Sequence, residues 1–87
     1  MVVYNDKHYD QYFIREFKEN IDDIELVWHR EYNDRFIEVL EGNNWRIQFD
    51  NDIPKRIYEG DTLYIPKMVF HRLHKGNDQL ILKIREI

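Results

Sequence analysis

The chain has 87 residues, of which 15% are aromatic and none is cysteine, serine or alanine, so disulfides, thiolate metal ligands and serine or cysteine covalent catalysis are excluded. The net charge is −4 and the positive side chains are spread along the sequence, which predicts no nucleic-acid partner. No apolar run approaches the roughly 20 residues that span a membrane, and nothing resembles a signal peptide or a glycine-rich phosphate loop. We therefore predict one cytoplasmic domain over residues 1–87, with no membrane association and no nucleotide cofactor.

The first predicted element is an amphipathic helix over about residues 6–20. Tyr9, Phe13 and Phe17 recur at intervals of four, as apolar residues do on one face of a helix. Asp6 is a suitable residue to cap the start of such a helix. We expect the apolar stripe to pack against the rest of the fold, with a partner-binding helix as the alternative.

From about residue 24 to residue 86 the pattern changes to short strands separated by turn residues. Apolar and polar residues alternate over 24–30, 35–41, 45–50 and 79–86, as they do in half-buried strands. Clusters of glycine, asparagine, aspartate and proline separate these segments. Six to eight short strands at this spacing predict an all-β fold, a small antiparallel barrel or jelly roll, preceded by the one helix.

One segment within this region has a distinctive spacing of glycine, proline and histidine. Gly60 lies in a turn before an apolar strand, Pro66 ends that strand, and His71 lies on the next one. This spacing resembles the second motif of the cupin superfamily. Met68 stands where the family usually has a second glycine, and Lys75 where it usually has an asparagine.

An altered version of the first cupin motif precedes it. Counting back from Gly42 places Arg35 at the family's glutamate position, Glu31 at its second histidine and His29 at its first. The resemblance covers roughly residues 24 to 86 and implies a short single-domain cupin, in which the residues of both motifs converge inside the barrel. His29, Glu31 and His71 would then form a set of two histidines and one carboxylate, able to hold iron, manganese, nickel or zinc.

Arg35 keeps a second interpretation open. A guanidinium repels a divalent cation, and it could instead neutralise Glu31 through a bidentate pair or bind an anionic group of a ligand. The sequence therefore predicts small-molecule binding, with or without a divalent metal, and Arg35 and Tyr64 are the predicted ligand-binding residues. The alternative is a non-catalytic, metal-free interaction or regulatory module with a degenerate site. The family includes enzymes and non-catalytic binders, so neither an activity nor a substrate is assigned.

We also predict a homodimer. A short barrel leaves strand edges and aromatic faces that pairing across a twofold axis would cover.

Overall fold

The structure is a computed structural model that describes residues 4–20 and 26–87, and those residues form eight strands and no helix. No helix that could cross a membrane is therefore present in this part of the chain. In chain order the strands are β1 Tyr4–His8, β2 Phe13–Phe17, β3 Arg35–Glu41, β4 Arg46–Phe49, β5 Lys55–Arg56, β6 Thr62–Ile65, β7 His71–His74 and β8 Leu80–Glu86.

The strands form two antiparallel sheets. One has five strands in the order β1-β2-β8-β3-β6, and the other has three in the order β5-β4-β7. The all-β prediction is confirmed, but the described strands of the two sheets do not join into a closed barrel. The two sheets make a sandwich instead, because each ends at edge strands before ladder pairing can continue around the core.

The prediction of a helix over residues 6–20 is wrong, because this segment forms the β1–β2 hairpin. β1 pairs with β2, and β2 pairs in turn with β8. A spacing of four residues fits one face of a helix and also one face of a strand, where every second residue shares a side. Phe13 and Phe17 are therefore buried together in either case, and pairing with β8 selects the strand.

The core lies between the sheets and is built from alternating side chains of β3 and β8. Ile37 and Val39 of β3 are buried, and so are Leu80, Leu82 and Ile84 of β8. Each such side chain contributes roughly 1.5–3 kcal/mol when it is removed from water. β3 has the predicted bounds, with Arg35 as its first residue, and it lies between β8 and β6 in the five-stranded sheet.

Two predicted strands differ in their bounds from the strands of the structure. The predicted strand over 24–30 lies partly outside the described residues, and within the described part only His29 makes a ladder contact, an isolated bridge to His71. Trp45, predicted to lie on a strand, precedes β4 and is fully buried, with its indole N–H donating to the carbonyl of Asp78 at 2.8 Å.

Candidate metal centre

His29 and His71 are held side by side by their own backbones. The amide of His29 donates to the carbonyl of His71 at 3.0 Å, and the amide of His71 donates to the carbonyl of His29 at 2.9 Å. Residues in such an antiparallel bridge project their side chains to the same face. The two imidazole rings accordingly meet edge to face, with their centroids 4.4 Å apart.

Glu31 is brought to the same place by the turn that precedes β7. The amide of Met68 donates to the carbonyl of Glu31 at 2.7 Å, and the amide of Lys67 donates to the side chain of Asp34 at 2.8 Å. Met68 has a φ of 66°, in the left-handed region that glycine adopts without strain. The turn that the cupin motif makes with glycine is thus made here by Met68.

The three side chains form one compact group of possible metal ligands. Glu31 Oε1 lies 3.2 Å from His71 Nε2, and Glu31 Oε2 lies 3.4 Å from His29 Nε2. All three ligand atoms lie within 4.8 Å of one another. His71 is buried and the Glu31 side chain nearly so, whereas His29 is more exposed.

Hydrogen bonds to the backbone fix the orientation of both imidazoles. The Nδ1 atom of His29 lies 2.9 Å from the carbonyl of Val27, and that of His71 lies 2.9 Å from the carbonyl of Val69. A carbonyl only accepts, so Nδ1 carries the hydrogen in each ring and Nε2 of a neutral imidazole keeps its lone pair. Both lone pairs then face the Glu31 carboxylate, an arrangement of three electron donors that a cation would stabilise.

The Glu31 carboxylate also has an unsatisfied oxygen. Oε1 is buried and has no hydrogen bond of good geometry within the described residues, although His71 Nε2 and Arg35 Nη1 both lie 3.2 Å away. An ion pair without a well-directed hydrogen bond leaves part of the desolvation cost of this buried oxygen uncompensated. A metal ion between Glu31 and the two Nε2 atoms would remove that cost, so these residues fit a divalent cation.

Arg35 lies beside the group and divides its contacts between two carboxylates. Its Nη1 atom approaches Glu31 Oε1 at 3.2 Å, while its Nε donates to Glu86 Oε2 at 2.9 Å. The bidentate pair with Glu31 considered from the sequence is therefore not formed. Because Glu86 holds one edge of the guanidinium, Arg35 stands next to the ligand group as a fixed positive charge.

The protonation states expected of Glu31 and His29 near neutral pH are those that a metal requires. Burial opposes ionisation of Glu31, but the neighbouring His71, Arg35 and His29 outweigh it and hold the pKa of Glu31 below its ordinary value. Partial burial is the main reason why the pKa of His29 is lowered. An ionised carboxylate and a neutral imidazole are the forms that coordinate metal ions.

These residues line a cavity of about 460 Å³ between the sheets. His29, Glu31, Arg35 and His71 are all brought together in its wall, which is otherwise mostly apolar. Arg15 also lines the cavity and was missed by sequence reasoning, because it fell in the predicted helix. Its position between Phe13 and Phe17 would have placed it inward had that segment been interpreted as a strand.

Tyr64 is not brought to this cavity. Its neighbours Leu63 and Ile65 face inward, so Tyr64 lies half-exposed on the outer face of β6, where its ring packs against Phe36 at 5.0 Å. His8 and His74 also lie apart from the ligand group: His8 packs beside Phe13, and His74 hydrogen-bonds Gln48. This agrees with the absence of motif support for those two histidines.

No protein-family model and no curated protein sequence matches the chain. Solved structures do match. A protein from Neisseria meningitidis superposes with a TM-score of 0.67 at 20% identity, covering 97% of this chain and 82% of that one. A cupin-like protein from Thermotoga maritima gives 0.67 at 20% identity, covering 86% and 55%. The iron(II) form of HppE gives 0.69 at 13% identity, covering 87% and 41%.

These likenesses establish the fold. The chain has the cupin fold, as its two sequence motifs suggested, with the first motif altered at Glu31 and Arg35. It spans 55% of the Thermotoga protein and 41% of HppE.

Proposed function

We propose that this chain binds a divalent metal ion through His29, Glu31 and His71 and uses the adjoining cavity to bind a small molecule. The observation that supports this most strongly is the convergence of two imidazole lone pairs on a buried carboxylate whose Oε1 has no hydrogen-bond partner within the described residues. Two histidines and one carboxylate leave coordination positions open for a ligand.

The chain's own residues have separate roles in this proposal. The carbonyls of Val27 and Val69 hold the rings in the tautomer that presents Nε2. Arg35 binds an anionic group of the ligand beside the metal, because Glu86 already orients its guanidinium toward the cavity. The bound metal would act as a Lewis acid that polarises the ligand. HppE was solved with iron(II), which makes iron the first metal to test.

A metal-free binding module is the second candidate, and the position of Arg35 favours it. The guanidinium lies 3.2 Å from Glu31 Oε1 and can supply the positive charge that a metal would supply. In this case the cavity binds its ligand through Arg35 and apolar contacts alone, and the chain serves as a non-catalytic interaction or regulatory module.

Elemental analysis of untagged protein, purified without chelator and with oxygen excluded, separates the two. The metal proposal predicts one metal ion per chain in the wild type, loss of it in His71→Ala and retention in His74→Ala. His74 is the matched control, because it lies on the same strand but hydrogen-bonds Gln48. A wild type free of metal that also binds none on addition supports the second candidate. Equal metal content in both variants would place the metal elsewhere.

A further inference from the structure

The cavity contains a second arginine, Arg15, that the proposed metal site does not use. Arg15 lies on the inner face of β2 between Phe13 and Phe17, and its side chain is only 12% exposed. Arginine is seldom buried without a partner, and here it is placed in a wall made mostly of apolar side chains. Its position requires an explanation beyond the strand pattern.

Asp6 anchors Arg15 from outside the cavity. Arg15 Nε and Nη2 donate to the two oxygens of Asp6 at 2.7 and 2.8 Å, and the guanidinium carbon stacks 3.7 Å from the ring centroid of Tyr4. This bidentate pair occupies one edge of the guanidinium and leaves the Nη1 hydrogens pointing away from Asp6. Arg15 lines the cavity, whereas Asp6 does not.

Arg35 has a carboxylate on two sides. Its Nε donates to Glu86, which lies outside the cavity lining, and its Nη1 lies 3.2 Å from Glu31, which lines the cavity as Arg35 does. The two guanidinium carbons lie 5.2 Å (Arg15) and 5.7 Å (Arg35) from the ring centroid of Phe13. Both guanidinium groups therefore lie near the ring of Phe13, and each is paired with a carboxylate that does not line the cavity.

Two guanidinium groups in one cavity wall favour a ligand with two anionic groups. The charged lining residues are Arg15, Arg35 and Glu31, and the carboxylates of Asp6 and Glu86 pair with the two arginines from outside the lining. These five side chains sum to one negative charge, and a divalent metal at Glu31 would bring the sum to one positive charge. An ion pair that joins β1 to β2 contributes about 0–1 kcal/mol even on the solvent face, so the stability of the hairpin does not require this pair to lie in the cavity wall.

We propose that the ligand is a small organic dianion, with two carboxylate- or phosphate-type groups joined by a short apolar segment. One group lies at Arg35 beside the metal site and the other at Nη1 of Arg15. The segment between them contacts the apolar side chains that the five-stranded sheet presents, such as Ile37, Leu82 and Ile84. This inference rests on the proposed use of the cavity for ligand binding and adds the chemical class of the ligand.

Succinate and butyrate are suitable probes, because they have the same number of carbons and differ by one carboxylate. Titration calorimetry on the full chain, before and after loading with Zn²⁺, should show that succinate binds at least about tenfold more tightly, a difference of ~1.4 kcal/mol. Arg15→Gln should remove this preference and leave butyrate binding unchanged. Arg46→Gln, which removes the same charge from the exposed outer face of β4, should leave both affinities unchanged.

Equal affinity of the wild type for the two probes, no binding of either at millimolar concentration, or an unaltered preference in Arg15→Gln would overturn the inference. If Arg15→Gln does not fold, Arg15→Lys keeps the charge and should still prefer succinate, though less strongly, because lysine cannot form the forked contact. Metal content measured on the same samples keeps the two proposals apart. A metal-loaded protein that does not prefer succinate refutes only the proposal of a dianionic ligand. A metal-free protein that does prefer succinate refutes only the proposal of a metal site.

Discussion

Arg35 Nη1 lies 3.2 Å from Oε1 of Glu31, the same oxygen that faces His71 Nε2 at 3.2 Å. A guanidinium and a metal ion would therefore compete for one carboxylate oxygen. Glu86 decides how strongly Arg35 competes, because it holds the opposite edge of the guanidinium at 2.9 Å and limits its approach to Glu31. If a metal binds here, we expect Arg35 to weaken its contact with Glu31.

Arg35→Glu should destabilise the metal-free protein and strengthen metal binding. Without metal, the variant places a third carboxylate beside Glu31 and Glu86 and removes their shared cation, so unfolding should become easier by about 1.5–3 kcal/mol. With metal, the added carboxylate should tighten binding. Urea unfolding with and without Zn²⁺ measures both effects. Arg85→Glu makes the same charge change over the outer ring of Phe36 and should show no metal-dependent difference; a similar response in both variants would contradict the account.

Met68→Gly should stabilise the fold. Met68 adopts a φ of 66°, which costs a residue with a side chain roughly 1–2 kcal/mol relative to glycine. Greater freedom of glycine in the unfolded chain offsets part of this, so we expect a net gain of about 0.5–1 kcal/mol. Thermal or urea unfolding measures it. Lys67→Gly, at the neighbouring exposed position, should instead be neutral or destabilising, and a loss of stability in Met68→Gly would show that this turn is not strained.

Asp6→Asn should reveal a pH-dependent contribution from the Arg15 pair. The hydrogen bonds from Arg15 are the main reason why the pKa of Asp6 is lowered in the folded protein. A lowered carboxyl pKa stabilises the fold above the unfolded value of about 3.9 and loses that effect as pH falls through the folded value. The free energy of unfolding of the wild type should therefore exceed that of Asp6→Asn by about 1 kcal/mol at pH 7, and the difference should vanish in stronger acid.

Urea unfolding of the two proteins at a series of pH values measures this difference. Asp10→Asn, in the exposed turn between β1 and β2, is the matched control and should change stability little at any pH. If the difference in free energy of unfolding between the wild type and Asp6→Asn stays constant from pH 7 into strong acid, the charge of Asp6 is not what stabilises the hairpin.

The predicted homodimer would use the outer face of the five-stranded sheet. Phe36 and Tyr64 are 40% and 50% exposed there and pack against each other, which makes an apolar patch suited to a twofold contact. Sedimentation at micromolar concentration should give the mass of two chains, and Phe36→Glu should give the mass of one. Ile53→Glu, at an apolar residue exposed elsewhere, should leave the dimer intact. A wild-type mass of one chain would refute the prediction.

The spacing of the motif residues predicted which side chains converge because it resembles that of a known family. His29 and Glu31 are two residues apart, but their meeting with His71 depends on a bridge between segments that are distant in the sequence, which local rules do not give. β3 was predicted with its observed bounds because the turn residues from Gly42 to Asn44 separate it from the next strand. The orientation of each imidazole could not be predicted, because it depends on carbonyls positioned by the bridge between His29 and His71.

Two features could not be obtained from the sequence because they depend on pairing between distant strands. The spacing of Phe13 and Phe17 fits both a helix and a strand, and only β8 decides between them. Likewise, two arginines that are separated in the sequence lie side by side on the outer face of the three-stranded sheet. Arg46 of β4 is in register with Arg56 of β5. The expectation that the chain has no nucleic-acid partner stays a prediction.

The central claim, that His29 and His71 present Nε2 to a metal shared with Glu31, is tested most directly by nitrogen NMR of the histidine rings during titration with Zn²⁺. Before addition, both rings should carry hydrogen on Nδ1 and an unprotonated Nε2. On addition, the Nε2 signals of His29 and His71 should shift together and saturate at one ion per chain, while those of His8 and His74 stay in place. In Glu31→Gln the same shifts should require far more zinc. Nε2 signals of His29 and His71 that do not respond to zinc, or that respond no more than those of His8 and His74, would contradict the account.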